Sequence, residues 1–246
     1  MGRDIRFFSS LDELSRAAAE LIVERAGRCI RDKGVFTLVL SGGSTPRPLY
    51  ELLSTPLYAE KLDWQKVHLF WGDERNVEAD SLDSNFNMAH QAMVSKVPIP
   101  PENIHRIPAG NRTAEAAAEE YEETLWNFFS MPTDKNAFPR FDLILLGMGK
   151  DGHTASLFPG SPALDEKRKW VLAVDPPDLS PRVARITLTL PVINNGASVL
   201  FLVSGSEKQD VLRSILHSPD RAQPSYPAAE VKPSGSLFWF INGPDI

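Results

Sequence analysis

Short apolar runs alternate along this chain with stretches of helical periodicity, and that alternation limits the fold more than any other feature. Residues 35–40, 67–71, 141–146 and 198–203 are apolar along most or all of their length. A strand with one wet face would alternate apolar and polar residues. A strand that is apolar throughout needs cover on both faces, which is the condition met in parallel sheets. The intervening segments read as helices. Ser10-Leu11-Asp12-Glu13 has the form of a capping box. Leu11, Leu14, Ala18, Leu21 and Ile22 then recur at helical spacing, up to a stop at Gly34. Residues 84–96, 113–129 and 206–217 read the same way, with Thr113 as a cap. Further strands are expected at 170–174, 185–190 and 237–241. The first 34 residues read as one long helix, and the Pro-rich 219–233 as a surface connection. With no internal repeat, the expected fold is one α/β domain over 1–246: a mostly parallel central sheet with helices on both faces.

Charge and cysteine usage exclude several classes. The net charge is -6 and the pI about 5.4, with no basic stripe of the kind nucleic acid requires. An anionic small molecule is still compatible, given a local cluster of cations and N–H groups. The single cysteine, Cys29, permits no intrachain disulfide and no thiolate metal site, and reads as core filler. No run approaches the roughly 18 apolar residues of a membrane span, and no signal-peptide apolar region is present. Arg6 stands where a myristoylation signal wants Ser or Thr. The expected protein is cytosolic, without membrane or nucleic-acid partners, and a monomer, with a dimer as the alternative.

Three loops at strand ends carry the chemistry. After 35–40 comes Ser41-Gly42-Gly43-Ser44-Thr45-Pro46. Two glycines allow close backbone approach, and a helix starting at Pro46 offers free N–H groups, so this is either a phosphate cradle or a plain strand-to-helix turn. It is not a nucleotide P-loop, since no Gly-Lys-Ser/Thr follows. After 67–71 comes Gly72-Asp73-Glu74-Arg75, a solvated loop or a site; Arg75 suits a phosphate or a developing oxyanion. After 141–146 comes Gly147-Met148-Gly149-Lys150-Asp151-Gly152-His153-Thr154. Its glycine spacing matches the dinucleotide fingerprint, but that fingerprint needs a long helix afterwards. Pro159, Gly160 and Pro162 leave room for a turn or two. What the segment offers instead is His153, a residue able to act as a general base near neutral pH, with Asp151 close by in sequence. Spacing of i,i+2 does not say whether the two touch. His68, His90, His105 and His217 lack such a setting and read as structural. No Gly-x-Ser-x-Gly elbow and no metal-ligand spacing occurs, so neither a serine nucleophile nor a metal is expected. Lys208, at a strand-to-helix turn, and Arg185, opening a strand, are two further cations.

Together these segments resemble the 6-phosphogluconolactonase family, related to the glucosamine-6-phosphate isomerase/deaminases. The matching pieces are 41–46, 71–75, 83–87, 141–159, 185–191 and the 205–208 turn, in family order. The resemblance implies a sugar-phosphate isomerase type of fold without a cofactor, and hydrolysis of a phosphorylated sugar lactone in the oxidative pentose phosphate pathway. It implies that His153 activates water, with Asp151 as its neighbour in the site. Ser41, Gly42, Gly43, Ser44 and Thr45, with Asp73, Arg75, Arg185 and Lys208, would hold and orient the substrate. Two departures are Asn242, where the family often has Asp, and Ser204, where Thr is frequent. The related deaminases carry a tyrosine where this chain has Arg75, and Phe-Asn-Glu where it reads Ala155-Ser156-Leu157-Phe158. A non-catalytic sugar-phosphate sensor would carry a helix-turn-helix ahead of the sheet, which the first 34 residues do not resemble.

Overall fold

The computed structural model describes residues 3–130, 137–175, 182–217 and 226–244. In chain order the elements are β1 (Arg3–Phe8), α1 (Leu11–Lys33), β2 (Phe36–Leu40), α2 (Arg47–Leu53), α3 (Pro56–Ala59), β3 (Val67–Trp71), β4 (Asp73–Arg75), α4 (Asn85–Ala92), β5 (Ile104–His105), α5 (Ala114–Phe129), β6 (Leu143–Leu146), β7 (Val171–Val174), β8 (Arg185–Leu188), α6 (Leu190–Asn195), β9 (Ser198–Ser204), α7 (Gln209–His217) and β10 (Ser236–Asn242). Seven strands form one parallel sheet in the order β1-β10-β9-β6-β2-β3-β5. Strands β2 and β6 are buried at every position, and the polar residue of β2, Thr37, donates its hydroxyl to Asp142 Oδ2 at 2.9 Å. The sheet core is rich in aromatic side chains; Phe201 stacks on Trp239 with ring centres 3.9 Å apart.

The strand order places the site. From β2 the chain runs outward through β3 and β5. From β6 it runs outward the other way, through β9 and β10. The direction therefore reverses between β2 and β6, and a crevice opens beyond their carboxyl ends. Ligands of open α/β sheets bind at such a reversal.

Several expectations need correction. Residues 1–34 are not one helix: β1 precedes α1 and pairs with β10 at the sheet edge. Its charges at Arg3, Asp4 and Arg6 suit an edge strand and hide its strand character. Residues 73–75 are not a loop but β4. This strand pairs antiparallel with β8, and β8 with β7, in a second, three-stranded sheet that the parallel pattern did not foretell. The strand expected over 185–190 stops at Leu188; Thr189 stands at the N-cap position of α6 without a side-chain cap bond, and Pro191 lies in the first turn, where a missing N–H costs nothing. Of the Pro-rich connection, 219–225 lies outside the described residues. Beyond it Pro227, Ala228 and Ala229 form a buried turn rather than surface. Cys29 packs against the core, and burial pushes its thiol up to about 11.

Candidate active site

A cleft of about 300 Å³ opens at the reversal point. It is lined from β2 by Ser41, Gly42, Gly43, Ser44 and Thr45, and from β4 by Asp73 and Arg75. His153 enters after β6, Arg185 from β8 and Lys208 after β9. Every expected site residue except Asp151 thus faces one space, and Asp151 stands directly behind His153.

The glycine loop is held from below. The buried Tyr50 hydroxyl donates to the Ser41 carbonyl at 2.8 Å and accepts from the Ser41 N–H at 3.0 Å. Among the described residues, the N–H groups of residues 42–45 have no protein acceptor. The buried Ser41 Oγ likewise has no partner among them. Donors this concentrated favour an anion with several oxygens. Gly42 is required by close approach: a Cβ there would run into the side-chain amide of Asn85.

The histidine loop folds on itself. The Gly149 N–H donates to the His153 carbonyl at 2.9 Å, and the Gly152 N–H to the Gly149 carbonyl at 3.1 Å. This brings His153 Nδ1 to 2.6 Å from Asp151 Oδ1. A carboxylate only accepts, so Nδ1 carries a proton, and in the neutral ring Nε2 is then the nitrogen with the lone pair. Burial opposes ionisation of Asp151, but the hydrogen bond and charge of His153 outweigh it and hold the carboxyl below its ordinary value. Gly149 has no substitute here, because a Cβ would overlap His153 Nδ1. The Phe158 ring packs 4.8 Å from the imidazole. Ala155, at φ 48°, takes a backbone shape that L residues rarely adopt, at the turn closed by Thr154 and Leu157. From outside, the Ala228 N–H donates to the Gly152 carbonyl at 3.0 Å.

The cations are gathered against their mutual repulsion. Arg75 and Arg185 are direct cross-strand partners in β4 and β8. Burial, then the nearby Arg75, lowers the pKa of Arg185. Burial lowers that of Lys208. Like charges set opposite one another destabilise a sheet, and an incoming anion relieves that cost. Arg75 Nη1 donates to Asn85 Oδ1 at 2.9 Å and to the Asp83 carbonyl at 2.8 Å. Asp73, though it lines the cleft, has its carboxylate engaged: Oδ2 accepts from Ser156 Oγ at 2.7 Å, and Oδ1 lies 3.4 Å from Asn85 Nδ2.

Asn85, Ser156 and Glu74 fall in segments that carry the resemblance, but sequence reasoning gave none of them a role. Asn85 and Ser156 are uncharged and carry no signal alone. Glu74 was submerged in a charged triplet. Reading 73–75 as a strand separates it, since Asp73 and Arg75 then share one face and Glu74 takes the other. The two family departures prove to be neighbours: Asn242 Nδ2 donates to Ser204 Oγ at 3.0 Å. Among the described residues, no helix is long and apolar enough to cross a membrane.

Comparison with known proteins gives a consistent result. The family model described as glucosamine-6-phosphate isomerases/6-phosphogluconolactonase matches residues 9–239. A 6-phosphogluconolactonase of Synechocystis is 43% identical over 229 residues, covering 93% of this chain and 91% of that protein. The crystal structure of a 6-phosphogluconolactonase from Thermotoga maritima superimposes with a TM-score of 0.83 at 32% identity, covering 98% of this chain and all of that one (100%). A monomeric glucosamine-6-phosphate deaminase, at 21% identity and a TM-score of 0.79 over 97% of both chains, shares the fold.

Proposed function

Because this chain belongs to the family of glucosamine-6-phosphate isomerases and 6-phosphogluconolactonases, we propose that it hydrolyses 6-phospho-D-glucono-1,5-lactone to 6-phospho-D-gluconate, the lactonase step of the pentose phosphate pathway, with His153 as general base. The single observation that carries the mechanism is the 2.6 Å contact between Asp151 Oδ1 and His153 Nδ1, which leaves Nε2 as the basic nitrogen of a ring lining the cleft.

The substrate phosphate docks on the free N–H groups of residues 42–45 and the hydroxyls of Ser41, Ser44 and Thr45, with Lys208 supplying charge. Its binding energy places the lactone carbonyl near His153. Nε2 removes a proton from water as the water oxygen attacks the carbonyl carbon. Asp151 stabilises the imidazolium that forms. Arg75 donates to the carbonyl oxygen as it gains negative charge, with Arg185 behind it. The tetrahedral intermediate collapses, the C1–ring oxygen bond breaks, and the imidazolium returns its proton to the leaving oxygen. The product carboxylic acid then ionises to water. The whole chain acts as one catalytic unit, a cytosolic monomer.

The test is a coupled assay on freshly prepared lactone. Wild-type protein should outpace spontaneous hydrolysis. His153→Ala should lower kcat by about 10²–10⁴-fold, the usual contribution of a positioned base. Near wild-type kcat in that variant would remove His153 from the mechanism.

A further inference from the structure

Arg75, one of the two arginines lining the cleft, follows directly on a carboxylate, Glu74, that does not line it. Glu74 points away from Asp73 and Arg75 and is 2% exposed. Its Oε1 accepts from the N–H of Arg75 at 2.8 Å and of Asn85 at 2.7 Å. Its Oε2 accepts from the N–H of Phe86 at 2.7 Å and from Ser84 Oγ at 3.1 Å. Asn85 and Phe86 open helix α4, so the carboxylate takes the place of an anion at that helix start. One side chain thereby fastens β4 to α4. Burial pushes the Glu74 carboxyl above its usual range, and the backbone donors pull the other way.

The segment it fastens is the one that holds Arg75. The two carbonyl-type acceptors of the guanidinium, the Asp83 backbone oxygen and Asn85 Oδ1, lie within one residue of the Ser84 cap. Asn85 is also fixed by its Nδ2, which donates to the Asp73 carbonyl at 2.9 Å. If residues 83–85 shift against β4, the guanidinium loses both acceptors together.

The geometry points to Glu74 as a positioning residue for lactone hydrolysis: it sets residues 83–85 against β4, and through Asp83 and Asn85 it fixes the direction of Arg75. This rests on the reading of Arg75 as the donor to the carbonyl oxygen. An amide at position 74 must turn its NH₂ toward one of the two donor pairs, so Glu74→Gln breaks the fastening with little change of shape.

The experiment is a double-mutant cycle of wild type, Glu74→Gln, Arg75→Ala and the double variant. It measures kcat and KM on fresh 6-phosphogluconolactone, with thermal melts alongside. Glu74→Gln should lower kcat about tenfold and move KM less than about threefold. In the Arg75→Ala background the same change should alter kcat less than about twofold, because residues acting through one another are not additive. An equal loss in both backgrounds, or unchanged kcat in Glu74→Gln, overturns the proposal. If Glu74→Gln does not yield folded protein, Ser84→Ala enters the same cycle, removing one of the donors. Its loss of about threefold should likewise vanish without Arg75, and persistence of that loss overturns the proposal. A wild-type protein that does not accelerate hydrolysis sinks the lactonase reading itself, whereas additivity in an active enzyme sinks only the role of Glu74.

Discussion

Asp151 decides what the His153 ring can do. Imidazole has two nitrogens, and a base with the wrong one exposed is no base. In the proposed mechanism the carboxylate keeps the proton on Nδ1 and then stabilises the cation formed during attack. Asp151→Asn removes the charge and frees the tautomer, so kcat should fall by about 10²-fold or more with KM little changed. Steady-state kinetics on fresh lactone checks this, and an Asn variant with full kcat would reduce Asp151 to a loop-former. At this scale the sequence was partly legible. His153 stood out because it sits on a glycine-rich loop at a strand end, where the other four histidines do not. Its contact with Asp151 was not legible, because it depends on the turn that Gly149 permits. Asn85 was given no role because its importance lies in its bonds to Asp73 and Arg75 and its close approach to Gly42, brought together only by the fold.

The elements divide by whether local chemistry or pairing defines them. The buried strands β2, β3, β6 and β9 and the helices α1, α4 and α5 were legible, since mostly apolar runs, helical periodicity and the caps of α1 and α5 act within one segment. Strands β1 and β4 were not. Each is dominated by charge, and each exists because a partner, β10 or β8, supplies its ladder. The edge strand β5 holds a further pairing: His105 Nε2 lies 3.1 Å from Nδ1 of His68 on β3, and its ring stacks on Phe70 at 4.4 Å. Burial, then the neighbouring His68, lowers the pKa of His105 to about 4, and burial lowers that of His68. An unfolded chain binds these protons near pH 6.5, before the folded one does. The stabilisation is therefore full above that pH and is lost as pH falls toward 4. Thermal melts should show Tm falling over this window. His105→Phe, which keeps the stack on Phe70, should flatten the fall; an identical slope in both proteins would show that the pair contributes nothing.

Viewed whole, an acidic molecule of net charge -6 keeps a cationic cleft at its topological centre. Arg75 and Arg185 stand opposite one another and Lys208 lines the same cleft, so any phosphate-bearing ligand should stabilise the free protein. Inorganic phosphate at about 100 times its Kd should add roughly 2.7 kcal/mol. Melts with and without phosphate measure the gain, and Lys208→Ala should shrink it; equal gains in both proteins would move the anion elsewhere. The reversal of strand order between β2 and β6 has a last consequence, which concerns folding. The glycine loop belongs to the first quarter of the chain, and the histidine loop follows a strand made more than a hundred residues later. Neither is a site alone. They meet only once β6 has docked beside β2, a distant contact of the slow-forming kind. In a refolding experiment helical signal can return early, but turnover will wait for that docking, so the enzyme's own activity serves as the clock for the meeting of β2 and β6.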